Sequence, residues 1–140
     1  MRIHRNVLVR SIALATLVLA FIAAQVSASA MQDCAGLIAA LQADTTTVVI
    51  TGKNAEKDRA GLLNKLDSAS GALAQGKFCT AIQKLTDFRN KVNQLIVDGQ
   101  INSDPTAGVT GQDLVDDANA AIACIQGLAA QSGIECPILE

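Results

Sequence analysis

LLNKLDSASGALAQGKFCTAIQKLTDFRNKVNQLIVDG, residues Leu62 to Gly99, decides the fold of this chain. Apolar residues recur at Leu62, Leu66, Ala69 and Leu73 in its first half, and at Phe78, Ala81, Leu85, Phe88, Val92 and Leu95 in its second. Steps of three and four put each set on one stripe of an α-helix. Between the stripes stands Gln75-Gly76, a connection short enough to force an antiparallel return. Gly76 supplies the left-handed residue that ends one helix, and Gly99 does the same for the other. The stretch is expected to be a helical hairpin whose two stripes face each other and form half of a core.

Upstream, Asp33 is placed to cap a helix that carries Cys34, Ile38, Leu41, Thr45 and Val48 on one face. Its end is harder to place, because Thr45-Thr46-Thr47-Val48-Val49-Ile50-Thr51 is β-branched throughout and suits a strand as well as a helix. The expectation is a helix to about residue 49, closed by Gly52. Asn54 then caps the first hairpin helix, with Glu56 and Asp58 in the turn where the helix dipole favours acids. That helix is expected over about 55–74 and its partner over about 77–98. Downstream, Gln100 to Val109 is the longest irregular segment, and Thr110 with Asp113 resembles a capping box. A last helix follows with Leu114, Ala118, Ala121, Ile125 and Leu128 on its stripe, stopping before Gly133. Four helices on short connections give an all-α, up-down-up-down four-helix bundle.

The first thirty residues read as a secretory signal peptide. Arg2, His4, Arg5 and Arg10 make a basic start, Ser11 to Ala24 an apolar run, and Ala28-Ser29-Ala30 a small-residue cleavage site. The run of about 14 residues falls short of the roughly 20 that span a bilayer. Lipoprotein processing at Cys34 is disfavoured because Met31-Gln32-Asp33 is not the small, apolar set it requires. Cleavage after Ala30 leaves a single domain, 31–140, secreted or periplasmic, with no transmembrane helix. Its core must be built from Leu, Ile, Val and Ala, since only Phe78 and Phe88 are aromatic.

Four cysteines, Cys34, Cys79, Cys124 and Cys136, in an exported chain imply two disulfides. Zinc is disfavoured because no CxxC pair occurs and the one histidine, His4, leaves with the signal peptide. Three pairings are open. In the bundle the first helix neighbours the second and fourth, and all four cysteines gather towards one end. Cys34 on the first helix and Cys124 on the fourth lie at similar heights, whereas Cys79 points outwards where the returning tail reaches it. The expected pairs are Cys34 with Cys124 and Cys79 with Cys136.

The pattern L-x-x-K-L-D-x-A-x-x-A-L-x-x-G-K-x-x-x-A-I-x-x-L-x-x-F-x-x-x-V-x-x-L, from Leu62 to Leu95, is followed by Gly99-Gln100-Ile101 and by Leu114 to Ile122. It resembles the FIMAH domain, a helical module of bacterial secreted and surface proteins. The likeness covers about 65 of the 110 residues after Ala30. It implies a non-catalytic, all-helical accessory module with no catalytic residues to carry over. This chain differs in its four cysteines, in Arg89 after Phe88, and in standing apart from a larger domain.

Several chemistries are excluded by residue type. Without histidine, neither a Ser-His-Asp nor a Cys-His arrangement is available after cleavage, and Tyr and Trp are absent as proton donors or sugar-stacking platforms. Asp116 and Asp117 are adjacent and so diverge on a helix. Asn102, Asp104, Thr106 and Asp113 loosely follow a calcium loop, but Ala107 replaces its glycine and Pro105 intrudes. No enzyme, metal, cofactor or nucleic-acid partner is expected.

Charge is the more informative signal. Residues 53–91 hold eight bases against four acids, net +4, while 92–140 hold seven acids and 31–52 two, with no base in either. The hairpin is therefore basic, and the first and last helices acidic. Lys77, Lys84 and Lys91 recur every seven residues along one edge of the third helix. They either pair with acids such as Asp117 on the fourth helix or present a basic strip to an anionic envelope polymer, a protein, or the acidic half of a second copy. The expected role is a secreted, non-enzymatic interaction module; a small apolar-ligand carrier and a secreted enzyme inhibitor are the alternatives.

Overall fold

The computed structural model describes residues 28–137. Four helices account for most of them: α1 over 28–47, α2 Ala55–Ala74, α3 Phe78–Val97 and α4 Gly111–Gln131. They pack as the expected bundle. Helix α3 lies between α2 and α4, and α1 closes the ring through a disulfide to α4 and polar links to α2.

The hairpin forms as its stripes require. Leu62, Leu66, Ala69 and Leu73 are buried on α2, and Phe78, Ala81, Leu85, Phe88, Val92 and Leu95 on α3. Gly76 stands at φ +69°, and the N–H groups of Gly76 and Lys77 donate to Leu73 and Ala72 carbonyls, which satisfies the last orphan acceptors of α2. The same closure recurs after α3, where Gly99 and Gln100 donate to Ile96 and Leu95, and after α4, where Gly133 and Ile134 donate to Ala130 and Ala129. One backbone device thus sets all three exits.

Two expectations at α1 need correction. Asp33 does not cap the helix, which is already helical at residue 28; Ala, Met and Gln before Asp33 favour helix, and Ala30 and Met31 pack against the core. The expected signal peptide falls mostly on residues 1–27, outside the described residues. At the other end α1 stops at 47, not 49. Thr45, Thr46 and Thr47 each donate a side-chain hydroxyl back to a carbonyl of the preceding turn. The chain then extends, and Ile50 forms an antiparallel bridge with Ile101 that is flanked by Thr51 N–H to Gln100 and Asn102 N–H to Val49. The β-branched run is therefore helical in its first half and strand-like in its second. Asn54 does occupy the N-cap of α2, although its side chain makes no capping hydrogen bond.

Helix α4 begins with the capping box: Thr110 accepts from the Asp113 N–H at 3.1 Å, and the Asp113 carboxylate accepts from the Thr110 N–H at 2.8 Å. Gly111 beside it is required by a close approach. A Cβ there would lie 2.7 Å from both Ile101 Cγ2 and Ile96 Cγ1. The stripe Leu114, Ala118, Ala121, Ile125 and Leu128 is buried as expected.

The cysteines pair as Cys34–Cys124 and Cys79–Cys136, with Cα atoms 5.6 and 5.2 Å apart. The first joins α1 to α4. The second draws the tail after Gly133 back onto the start of α3. On the chain-entropy argument a closure of 90 residues contributes about 4 to 5 kcal/mol to stability.

Candidate functional site

Register across the hairpin follows from two contacts at its ends. Lys91 Nζ lies 3.0 Å from the Asp58 carboxylate, and Lys77 N–H donates to the Ala72 carbonyl. Both pairs fit one antiparallel alignment, in which Lys84 on α3 stands level with Lys65 on α2. The two lysines are half-buried, Lys77 is exposed, and none of the three has a carboxylate within ion-pair distance among the described residues. The pairing differs from the one expected, since Lys91 meets an acid on α2 and not Asp117 on α4. Lys65 is the member that the heptad spacing on α3 alone could not reveal.

Two arginines of the basic hairpin have structural partners. Arg59 donates from Nη1 to the Thr45 and Thr46 carbonyls at 2.7 and 2.9 Å, and from Nη2 to the Val48 carbonyl at 2.9 Å. It thereby caps α1 from α2. Arg89 donates to Asn119 Oδ1 across the α3–α4 interface at 3.1 Å.

Acidic residues gather on the opposite side. The Asp117 carboxyl is held above its ordinary pKa by partial desolvation first, and then by the carboxylates of Asp44 on α1 and of Asp113 and Asp116 on α4. Mutual repulsion of this kind marks a surface with little compensating positive charge. Net positive charge thus falls on the α2–α3 hairpin, which also carries acids such as Asp58, and net negative charge on α1 and α4.

In the 100–110 loop the side chains singled out for calcium serve the loop itself. Asn102 Nδ2 donates to the Asp104 and Val109 carbonyls, and Asp104 Oδ1 accepts from both the N–H and the hydroxyl of Thr106. The carboxylate of Asp113 belongs to the capping box. Both Asp104 and Asp113 consequently lie below the usual carboxylate range, Asp104 through Thr106 and Asp113 through Thr110.

A groove of about 730 Å³ runs between α3, α4 and the tail. Ile82 and Ile122 form part of its apolar wall, the tail closes one side with Ile134 and Pro137, and Arg89 and Glu135 are its charged residues. Composition and periodicity did not indicate it, because its outer wall exists only through the Cys79–Cys136 link.

Fold and surface together define a small, disulfide-linked, all-helical bundle with segregated charge. Among the described residues no helix is long and apolar enough to cross a membrane. Comparison with family models, with curated proteins and with solved structures gave no match.

Proposed function

We propose that the chain is a secreted or periplasmic, non-enzymatic interaction module whose α2–α3 flank docks an anionic partner. The carrying observation is the unpaired lysine set on that flank: Lys65 and Lys84 level with each other, and Lys77 one step along. Like charges at one height repel unless a counter-charge arrives from outside. Each exposed contact alone is screened at physiological salt, so affinity would come from several contacts at once. An anionic envelope polymer of repeating charge fits that requirement better than a single small anion. Export is supported by the signal-like first thirty residues and agrees with two disulfides, which persist in oxidising compartments. The resemblance of Leu62–Leu95 to FIMAH modules points to the same non-catalytic class.

The test is retention on anionic cell-wall polymer at low and moderate salt. Replacing Lys65, Lys77 and Lys84 together by Gln is expected to abolish salt-sensitive retention while the melting temperature stays near wild type. Replacing Lys91 alone should instead lower stability slightly by freeing Asp58, with retention largely preserved. Undiminished retention of the triple variant would end the proposal. Salt-dependent self-association that disappears in the same variant would identify a second copy as the partner.

A further inference from the structure

We propose that the groove between α3, α4 and the disulfide-held tail binds an amphiphile with one carboxylate and an unbranched hydrocarbon chain, the carboxylate meeting Arg89. The inference goes beyond the docking role and uses the other flank of α3.

The volume of about 730 Å³ falls within the range of small-molecule sites, roughly 300 to 1,000 Å³. Its lining combines aliphatic side chains, Ile82, Ile122, Ala129 and Ile134 among them, with the polar Thr86 and Gln126, and holds no aromatic side chain. A ring-shaped ligand would find nothing to stack on, whereas a flexible hydrocarbon needs only aliphatic contact. Charge sets the headgroup. Arg89 is the one cation among the lining residues, has no carboxylate partner among the described residues, and donates from Nη1 to Asn119. Its remaining donors suit a carboxylate, which a guanidinium can bind through two parallel hydrogen bonds. Glu135 lines the same groove and disfavours a second negative charge, which argues for a monocarboxylate over a dianionic phosphate monoester.

The strap makes the arrangement a groove and not an open helix surface. Gly133 turns the chain at φ +68°, and the Cys136 link to Cys79 brings Ile134 and Pro137 alongside the helices. Among the described residues the backbone hydrogen bonds that fasten this strap are those of Gly133 and Ile134 at its start, so a chain entering beneath residues 135–137 breaks no secondary structure.

The experiment titrates the oxidised protein with cis-parinaric acid and with its methyl ester, following ligand fluorescence. The sequence contains no Trp or Tyr, so protein emission does not interfere. Saturable one-to-one binding is expected, with the acid at least about tenfold tighter than the uncharged ester because only the acid gains a charge-assisted hydrogen bond. Arg89→Gln should reduce the acid to the affinity of the ester and leave the ester unchanged, while Arg89→Lys retains part of the difference. Ala130→Phe, which narrows the groove, should weaken both ligands, and thermal melts establish that each variant is folded. Equal binding of acid and ester, an Arg89→Gln variant that keeps the preference, or an Ala130→Phe variant that binds both normally would overturn the proposal. Binding only after removal of Ile138–Glu140 would also overturn it, since the groove would then belong to the chain's own end. The Lys65, Lys77 and Lys84 triple variant should bind parinarate as wild type does, which separates failure here from failure of the docking role.

Discussion

Asp117 and Asp113 stand four positions apart on α4 and respond to pH in opposite senses. The raised pKa of Asp117 means that its charged form is less favourable in the folded state than in the unfolded chain. Its penalty is present above the folded pKa and disappears as the pH falls through that value and then the unfolded one, about 3.9. Asp117→Asn is accordingly expected to raise the melting temperature at pH 7 and to leave it unchanged at pH 3. Asp113 has the reverse sign: the two Thr110 hydrogen bonds favour its carboxylate, so its contribution is present at pH 7 and lost as the pH falls through its depressed pKa. Asp113→Asn should therefore lower the melting temperature at pH 7. Thermal melts of the two variants at both pH values decide the matter, and shifts of the same sign at pH 7 would contradict this assignment.

Among the elements, α1 depends most on a residue outside itself. The last carbonyls of a helix have no intrahelical donor, and the Arg59 guanidinium on α2 meets three at the end of α1 and just beyond it. Loss of these charge-assisted bonds at a half-buried site should cost about 2 kcal/mol, so Arg59→Met is expected to lower the midpoint of urea unfolding with the slope unchanged. Arg59→Lys should recover only part, because an ammonium cannot span three acceptors in the guanidinium's fixed fork. An unaltered midpoint would mean that water serves those carbonyls equally well. Arg59 also shows where sequence reading stops. The boundaries of α2, α3 and α4 are legible because stripe and closing glycine are both local, and the cysteine pairing follows from helix adjacency. By contrast, the end of α1 depends on Ile101 and Arg59, neither of them a local neighbour. The partner of Lys91 was missed for a related reason: a seven-residue repeat names an edge of the helix but not which neighbour faces it. The strapped groove was least legible, because its outer wall is irregular backbone placed by a disulfide.

At the scale of the whole molecule, the two ends of the bundle are held differently. The disulfides tie one end, while Arg59, the Ile50–Ile101 bridge and the capped start of α4 hold the other by hydrogen bonds and packing. Residues 103–108 are exposed at that second end, where proteolytic nicking is most readily accepted. Limited digestion with an endoproteinase that cleaves before Asp should therefore open the peptide bond before Asp104 early, giving a product that migrates as one species until it is reduced. Two separate pieces without reductant would contradict the disulfide arrangement. The reason lies in the order of the cysteines along the chain. Cleavage of any one peptide bond between Cys79 and Cys124 leaves Cys34 and Cys79 on one fragment, Cys124 and Cys136 on the other, and both cross-links between them. In a compartment rich in proteases this exposed loop is thus dispensable as a covalent link: severing it turns one chain into two without allowing them to part.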